Sequence, residues 1–173
     1  RSQLAGQALS EAVSQLIGVQ KTLDDELRRS PGRVSNNADV ISPYHKRMLL
    51  YEIRLQLAAA LLDRARLFPV DSKERENLLS RSDSLLKNLA RGDPERNTTW
   101  DSQVLLAESS LLRSDFKQSE SLLTNLQRKG PPPDVLDRIT AVRVQIMLDS
   151  DRETDAGQLL NEYRRQYRHL SGE

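Results

Sequence analysis

Cysteine is absent from the 173 residues. That removes disulfides, thiolate nucleophiles and thiol-bound metal, and it leaves the compartment open, because cytosolic and exported helical proteins alike can lack it. Aromatic residues reach only 4%, and β-branched runs are nearly missing, so the apolar content rests on Leu and Ala, which favour helix over sheet. Charge of one sign is also missing. The 26 Lys and Arg balance 25 Asp and Glu and the two signs are interspersed, which gives no basic field to collect phosphates, so nucleic acid is not an expected partner. The richest apolar run, Leu55 to Leu62, is broken by Gln56 and flanked by Arg54 and Asp63. It falls well short of the ~20 apolar residues of a membrane helix, and no direct membrane insertion is expected.

The seven glycines are scattered singly, and none falls in a dinucleotide-binding or Walker pattern. No Ser sits in a nucleophile elbow, and no convergent set of titratable groups stands out. No enzyme, no cofactor and no metal site is expected. The chain opens on Arg1, which suggests a processed product or a piece of a larger chain or assembly.

Apolar residues at 37% and charged residues at 29% suit thin layers of helix that each bury one stripe, within one domain over 1–173. Self-comparison finds a period of 37 residues. Ser82-Asp83-Ser84-Leu85-Leu86-Lys87-Asn88-Leu89 aligns without a gap on Ser119-Glu120-Ser121-Leu122-Leu123-Thr124-Asn125-Leu126, and again on Ala156-Gly157-Gln158-Leu159-Leu160-Asn161-Glu162-Tyr163. A small residue, Leu-Leu three positions on and a large apolar residue at the eighth position form one helical stripe, and the small residue marks a close approach by a neighbouring helix. Trp100, Val104, Leu105, Ala107, Leu111 and Leu112 make another stripe. It ends at Ser114-Asp115, and Phe116 opens the next helix.

Leu105-Leu106-Ala107-Glu108, then Ser114-Asp115-Phe116, then Ser119, Leu123, Leu126 and Pro131 resembles one tetratricopeptide motif. Residues 100–131 match it best and 134–165 more loosely; Ser110, Ser114 and Ser119 stand where the family has an aromatic, Gly and Ala. A divergent tetratricopeptide and a generic helical-hairpin solenoid both fit. The resemblance implies an all-α fold, a right-handed α-solenoid of stacked antiparallel hairpins; the stripes, caps and stops along the chain place about seven helices near 4–28, 46–67, 72–91, 100–113, 116–129, 134–149 and 152–168. The organisation is an N-terminal flanking helix in 1–29, a long first hairpin over 46–91, a second over 100–131 and a third over 134–169. The stripe of the first helix is Leu9, Ala12, Val13, Leu16, Ile17, Leu23 and Leu27, with Arg28-Arg29 at its negative end. That of the second is Leu49, Ile53, Leu57, Ala60, Leu61 and Leu67. Residues 30–44, rich in Ser, Pro, Gly and Asn, form the one long loop.

The run Asp149-Ser150-Asp151-Arg152-Glu153-Thr154-Asp155 alternates oxygen ligands, but Thr154 and Leu160 stand where a calcium loop needs Gly and Glu. A solvated turn with a helix cap is the better reading. His45 and His169 lack ligand partners at helical spacing, and the ring pair Tyr44-His45 is placed just before a helix, over the end of a hairpin. Asn97-Thr98-Thr99 fits a glycan sequon, yet Thr98 or Thr99 capping the helix of Trp100 explains it better. Trp100 itself is expected to pack into the preceding hairpin, and Gly130-Pro131-Pro132-Pro133 to separate two hairpins.

In a stack of such hairpins the first helices line a concave surface that binds peptides. The family's groove positions, carried over, are Asp101, Val104, Glu108, Leu111 and Leu112 in one unit and Arg138, Ala141, Gln145 and Leu148 in the next. The expectation is a non-catalytic scaffold that binds a peptide or helix of another protein on this face. The rival is a structural spacer or oligomerisation segment of a larger helical-repeat protein, with the groove filled by residues 4–27.

Overall fold

Leu- and Ala-rich segments without β-branched runs produce helices and no strand among the described residues of the computed structural model, which are 2–29, 41–93 and 96–171. The helices are α1 (Ser2–Arg29), α2 (Pro43–Ala65), α3 (Lys73–Leu89), α4 (Asn97–Leu112), α5 (Phe116–Arg128), α6 (Pro133–Asp149) and α7 (Glu153–Ser171). Seven elements with ends within three residues of expectation follow from local signals. Ser72 caps α3 by accepting from the Arg75 backbone N–H, and Asp115 caps α5 by accepting from that of Gln118, each satisfying a donor that the first turn leaves orphaned. Gly130 ends α5 at φ +68°, a left-handed conformation that costs glycine nothing, and Pro133 opens α6 with its ring already at helical φ.

Two helices begin three residues earlier than expected. Ser42 is the N-cap of α2, accepting from the His45 backbone N–H and hydrogen-bonded to His45 Nδ1 at 2.7 Å. Tyr44 and His45 therefore sit inside the first turn, their rings edge to face at 5.5 Å, and Tyr44 is exposed rather than laid over a hairpin end. Residues 30–40 of the expected loop lie outside the described residues. Likewise α4 begins at Asn97, so Thr98 and Thr99 lie inside its first turn, both buried, and neither is the cap.

The chain comprises two compact units, Arg1–Leu105 and Leu106–Glu173, the boundary falling within α4. In the first unit α2 packs against both α1 and α3. Leu23 of α1 joins Leu50 and Ile53 of α2, with Leu16 and Leu27 beside them. Arg54 donates to both oxygens of Asp24 at 3.0 and 3.3 Å, and Lys46 pairs with Glu26 at 2.7 Å. On the α3 side, Ser82 is fully buried and its hydroxyl donates to the Ala58 carbonyl at 3.0 Å. Because α2 is covered from two directions, its buried set (Leu50, Ile53, Leu55, Leu57, Ala58, Leu61, Leu62, Ala65) spreads beyond a single stripe. Leu49 and Leu67, placed on the apolar side by a one-stripe reading, are exposed, as is Ile17 of α1. Trp100 is buried.

In the second unit α5 packs on α6 and α6 on α7, while the buried Ser119 hydroxyl donates to the Ala107 carbonyl at 2.8 Å. Ser82 and Ser119, one period apart, thus do the same work in their own units. Ala156, one period further, is buried too. Leu86 and Leu123 are both fully buried at the next repeat position, but Leu160, their counterpart, is 40% exposed. In the third copy α7 packs on α6, whereas α5 is held by Ala107 on one side and α6 on the other.

The period also governs the turns. Ser114 and Asp151, 37 residues apart, are the two non-glycine residues with positive φ among the described residues, at 59° and 58°. Around Ser114 the backbone bonds are Ser114 N–H to Leu111 O and Asp115 N–H to Ser110 O; around Asp151 they are Asp151 N–H to Leu148 O and Arg152 N–H to Met147 O. The four bonds superpose residue for residue under the period, closing the end of each first helix in the same way. A side chain held at such a φ costs about 1–2 kcal/mol, against the ~0.5–1 kcal/mol of unfolded-chain entropy that glycine adds. Ser114→Gly should therefore stabilise the protein slightly, by a few tenths to about 1 kcal/mol, read as a higher urea midpoint at unchanged slope; a lower midpoint would show that the Ser side chain supplies a compensating contact.

Candidate functional site

The nine groove positions separate according to how deeply their helices are buried. On α6, Ala141, Gln145 and Leu148 are exposed and Arg138 half-buried, so they form an accessible stripe at positions three and four apart. The amide of Gln145 donates to Asp149 at 2.6 Å, holding its head along the stripe. On α4 the placement differs. Val104 has no accessible surface and Leu111 is 8% exposed, so both belong to the core and neither is available to a partner. Asp101, Glu108 and Leu112 keep partial exposure, and each of these, like Arg138, already has an interaction within the protein.

Val104 and Leu111 belong to the apolar stripe of α4, which the groove positions carried over from the resemblance overlap. Buried residues on α4 include Trp100, Ser102, Val104, Leu105, Ala107, Ser109 and Leu111, which run around the helix and not along one side of it. Ser and Ala let neighbouring backbones approach on faces that a hydrophobicity pattern leaves unassigned, as the Ala107 carbonyl shows by receiving the Ser119 hydroxyl. A helix covered on several sides keeps little of a binding face. Asp101 and Val104 lie in the first unit; Glu108, Arg138 and Gln145 lie in the second.

The sequence reading misses a second feature of the second unit. A groove of about 760 Å³ runs beside α5 and the C-terminal half of α6, over Phe116, Ile146 and Met147. Lys117, Arg128 and Arg152 line it, together with Glu120. Arg143, on the same side of α6, fans its guanidinium across α5: Nε donates to Glu120 at 2.9 Å, one terminal nitrogen to Gln127 at 2.6 Å and the other to Thr124 at 3.2 Å. Arg152 is paired with Asp155 at 2.7 Å. Lys117, Ser121 and Asn125 recur every fourth residue along α5, a spacing that passes in sequence for an ordinary wet face. Only the juxtaposition with α6 turns it into a wall.

Among the described residues no group of three or more His, Asp or Glu could hold a metal ion. In the run 149–155, Asp149 accepts from Gln145 and Asp155 from Arg152, which assigns both carboxylates to helix ends. His45 is engaged with the Ser42 cap, and the side chain of His169 lies outside the described residues. No described helix is long and apolar enough to cross a membrane. No family model, no curated protein and no solved structure matches this chain.

Proposed function

We propose that this chain is a non-catalytic binding scaffold, a right-handed α-solenoid of tetratricopeptide-like hairpins that takes a peptide or helix of another protein. The observation that carries the reading is the recurrence of one turn: Ser114 and Asp151 share φ, period and hydrogen bonds, so two hairpins are copies of one unit, and stacked copies of such a unit build extended ligand surfaces. The resemblance of residues 100–131 to a tetratricopeptide motif adds support. Arg54, Lys46 and Arg143 each join one helix to another through their ion pairs, which suits a frame better than a reaction centre. The binding residues are narrowed to the α6 stripe of Arg138, Gln145 and Leu148 with Glu108, all of the second unit; Asp101, of the first unit, and the buried Val104 leave the proposal.

A captured partner should bind more weakly to the Glu108→Ala, Arg138→Ala double variant, while stability shifts by little more than the ~0.5 kcal/mol usual for substitutions away from the core. Titration calorimetry with partner captured from the native source by the full-length protein measures the first, and urea unfolding the second. Unchanged affinity in the double variant removes the α6 stripe as the site.

The spacer reading has one observation in its favour: Leu148 and Leu160 are 44% and 40% exposed on the last hairpin, apolar side chains that a neighbouring hairpin or second copy would cover. Sedimentation velocity over a range of concentrations separates the two readings, since a spacer that self-associates through this hairpin shifts to a larger species that Leu148→Glu abolishes.

A further inference from the structure

We propose that the groove beside α5 and α6 binds an extended acidic peptide segment of a partner protein, anchored by one apolar side chain on Phe116, Ile146 and Met147. This surface is separate from the α6 stripe proposed above. Around the α6 axis, at about 100° per residue, Arg143, Ile146, Met147 and Ser150 point away from Arg138, Gln145 and Leu148, and the inference stands whether or not the stripe binds anything.

Some of the groove's charges are already satisfied within the fold and others are not. Glu120, the one acid lining the groove, is held by Arg143 at 2.9 Å, so its charge is neutralised from outside the groove. Arg152 shares its charge with Asp155. Lys117 and Arg128 make no ion pair with any described residue, yet both line the same groove. A surface with two uncommitted cations, a neutralised acid and an apolar floor is complementary to carboxylates flanking a hydrophobic side chain. Ile146 is only 5% exposed at the floor, and Phe116 and Met147 are half-buried around it; Met adapts readily to a side chain of unfixed shape.

The spacing selects an extended segment. Lys117 and Arg128 are separated by three turns of α5, about 16 Å along the axis at ~1.5 Å per residue. An extended chain rises about 3.3 Å per residue, so carboxylates about five residues apart reach both. The apolar anchor lies near the Lys117 end, because Arg143 reaches Glu120, Thr124 and Gln127 and so sets the later residues Ile146 and Met147 against the first turns of α5. Ser121 and Asn125, on the rim between the two cations, can meet the peptide backbone by hydrogen bonds.

The test is fluorescence anisotropy with a labelled synthetic peptide of about ten residues, carrying a leucine next to one aspartate pair and a second aspartate pair about five residues further on. It is titrated with the whole chain. Lys117→Glu places an acid in the first turn of α5, where the helix dipole favours it, and Arg128→Gln removes the far charge; each should weaken binding at least tenfold, and raised salt should weaken it in the unaltered protein. Glu108→Ala with Arg138→Ala should leave probe affinity within twofold, which distinguishes failure of this site from failure of the stripe. Far-ultraviolet circular dichroism confirms that each variant is folded. The proposal is overturned by absence of probe binding, by affinity indifferent to Lys117→Glu and Arg128→Gln, or by an equally strong response to a leucine-free acidic probe, to single-stranded nucleic acid or to anionic vesicles. A concentration-dependent dimer lost on Lys117→Glu would overturn it too, by making a second copy the occupant.

Discussion

Leu123→Ala should destabilise the protein by about 2–5 kcal/mol, the range for a large aliphatic side chain removed from a site that cannot collapse. Leu123 has no accessible surface, and its surroundings are fixed from two directions. One turn before it, Ser119 clamps α5 to the Ala107 carbonyl at 2.8 Å; one turn after it, Gln127 is tied through Arg143 to α6 at 2.6 Å. Closing the cavity would need α5 to move toward one partner and away from the other, so relaxation is restricted and the cost falls in the upper part of that range. Urea denaturation reads the effect as a lower midpoint at constant slope. The matching substitution at the third repeat position, Leu160→Ala, should cost far less, because Leu160 is 40% exposed and leaves little cavity behind. Equal losses at the two positions would mean that Leu160 is covered in solution.

The contrast between these two leucines shows what the sequence could disclose. Period, stripe and small residue are local patterns, and local patterns locate helices. The ends of all seven lie within three residues of expectation because caps and stops are local as well: Ser72, Asp115, Gly130 and Pro133 each act on the turn they belong to. Exposure depends on how many neighbours a helix has, and no stripe in a single segment reports that number. A one-stripe reading serves α5, whose buried side is Ser119, Leu123 and Leu126. It fails for α2, where burial spreads over several faces and Leu49 comes out exposed; on α4 the stripe holds, with Val104 and Leu111 in the core, and the groove positions carried over from the family resemblance are what fail there. The groove lined by Lys117 and Arg128 was illegible for the same reason. Each residue belongs to a polar face with an ordinary pattern, and only the Arg143 fan across α5 brings that face against a second helix.

Ser119→Leu should produce the opposite kind of damage at the neighbouring position, and it tests the repeat more sharply than any deletion. Ser119 is fully buried, and its hydroxyl reaches the Ala107 carbonyl, so the two helices approach to within the reach of a single side-chain atom. A leucine there has no volume to enter; overpacking of a tight core costs about 1–3 kcal/mol and more where backbones must separate. The lost hydroxyl bond is a smaller loss of about 0.5–1.5 kcal/mol. Ser119→Ala isolates it, removing the hydroxyl without adding volume, and Ala156 shows that the next copy accepts alanine in the buried state. The expected order of stability is therefore unaltered protein, Ser119→Ala slightly below it, and Ser119→Leu lowest by a wide margin, with the same order for Ser82, whose hydroxyl makes the corresponding bond to Ala58 at 3.0 Å. Urea midpoints of the four variants decide the matter. If Ser119→Leu is tolerated as well as Ser119→Ala, the small residue is not the point of close approach, and the 37-residue period would be a repeat of sequence without a repeat of packing.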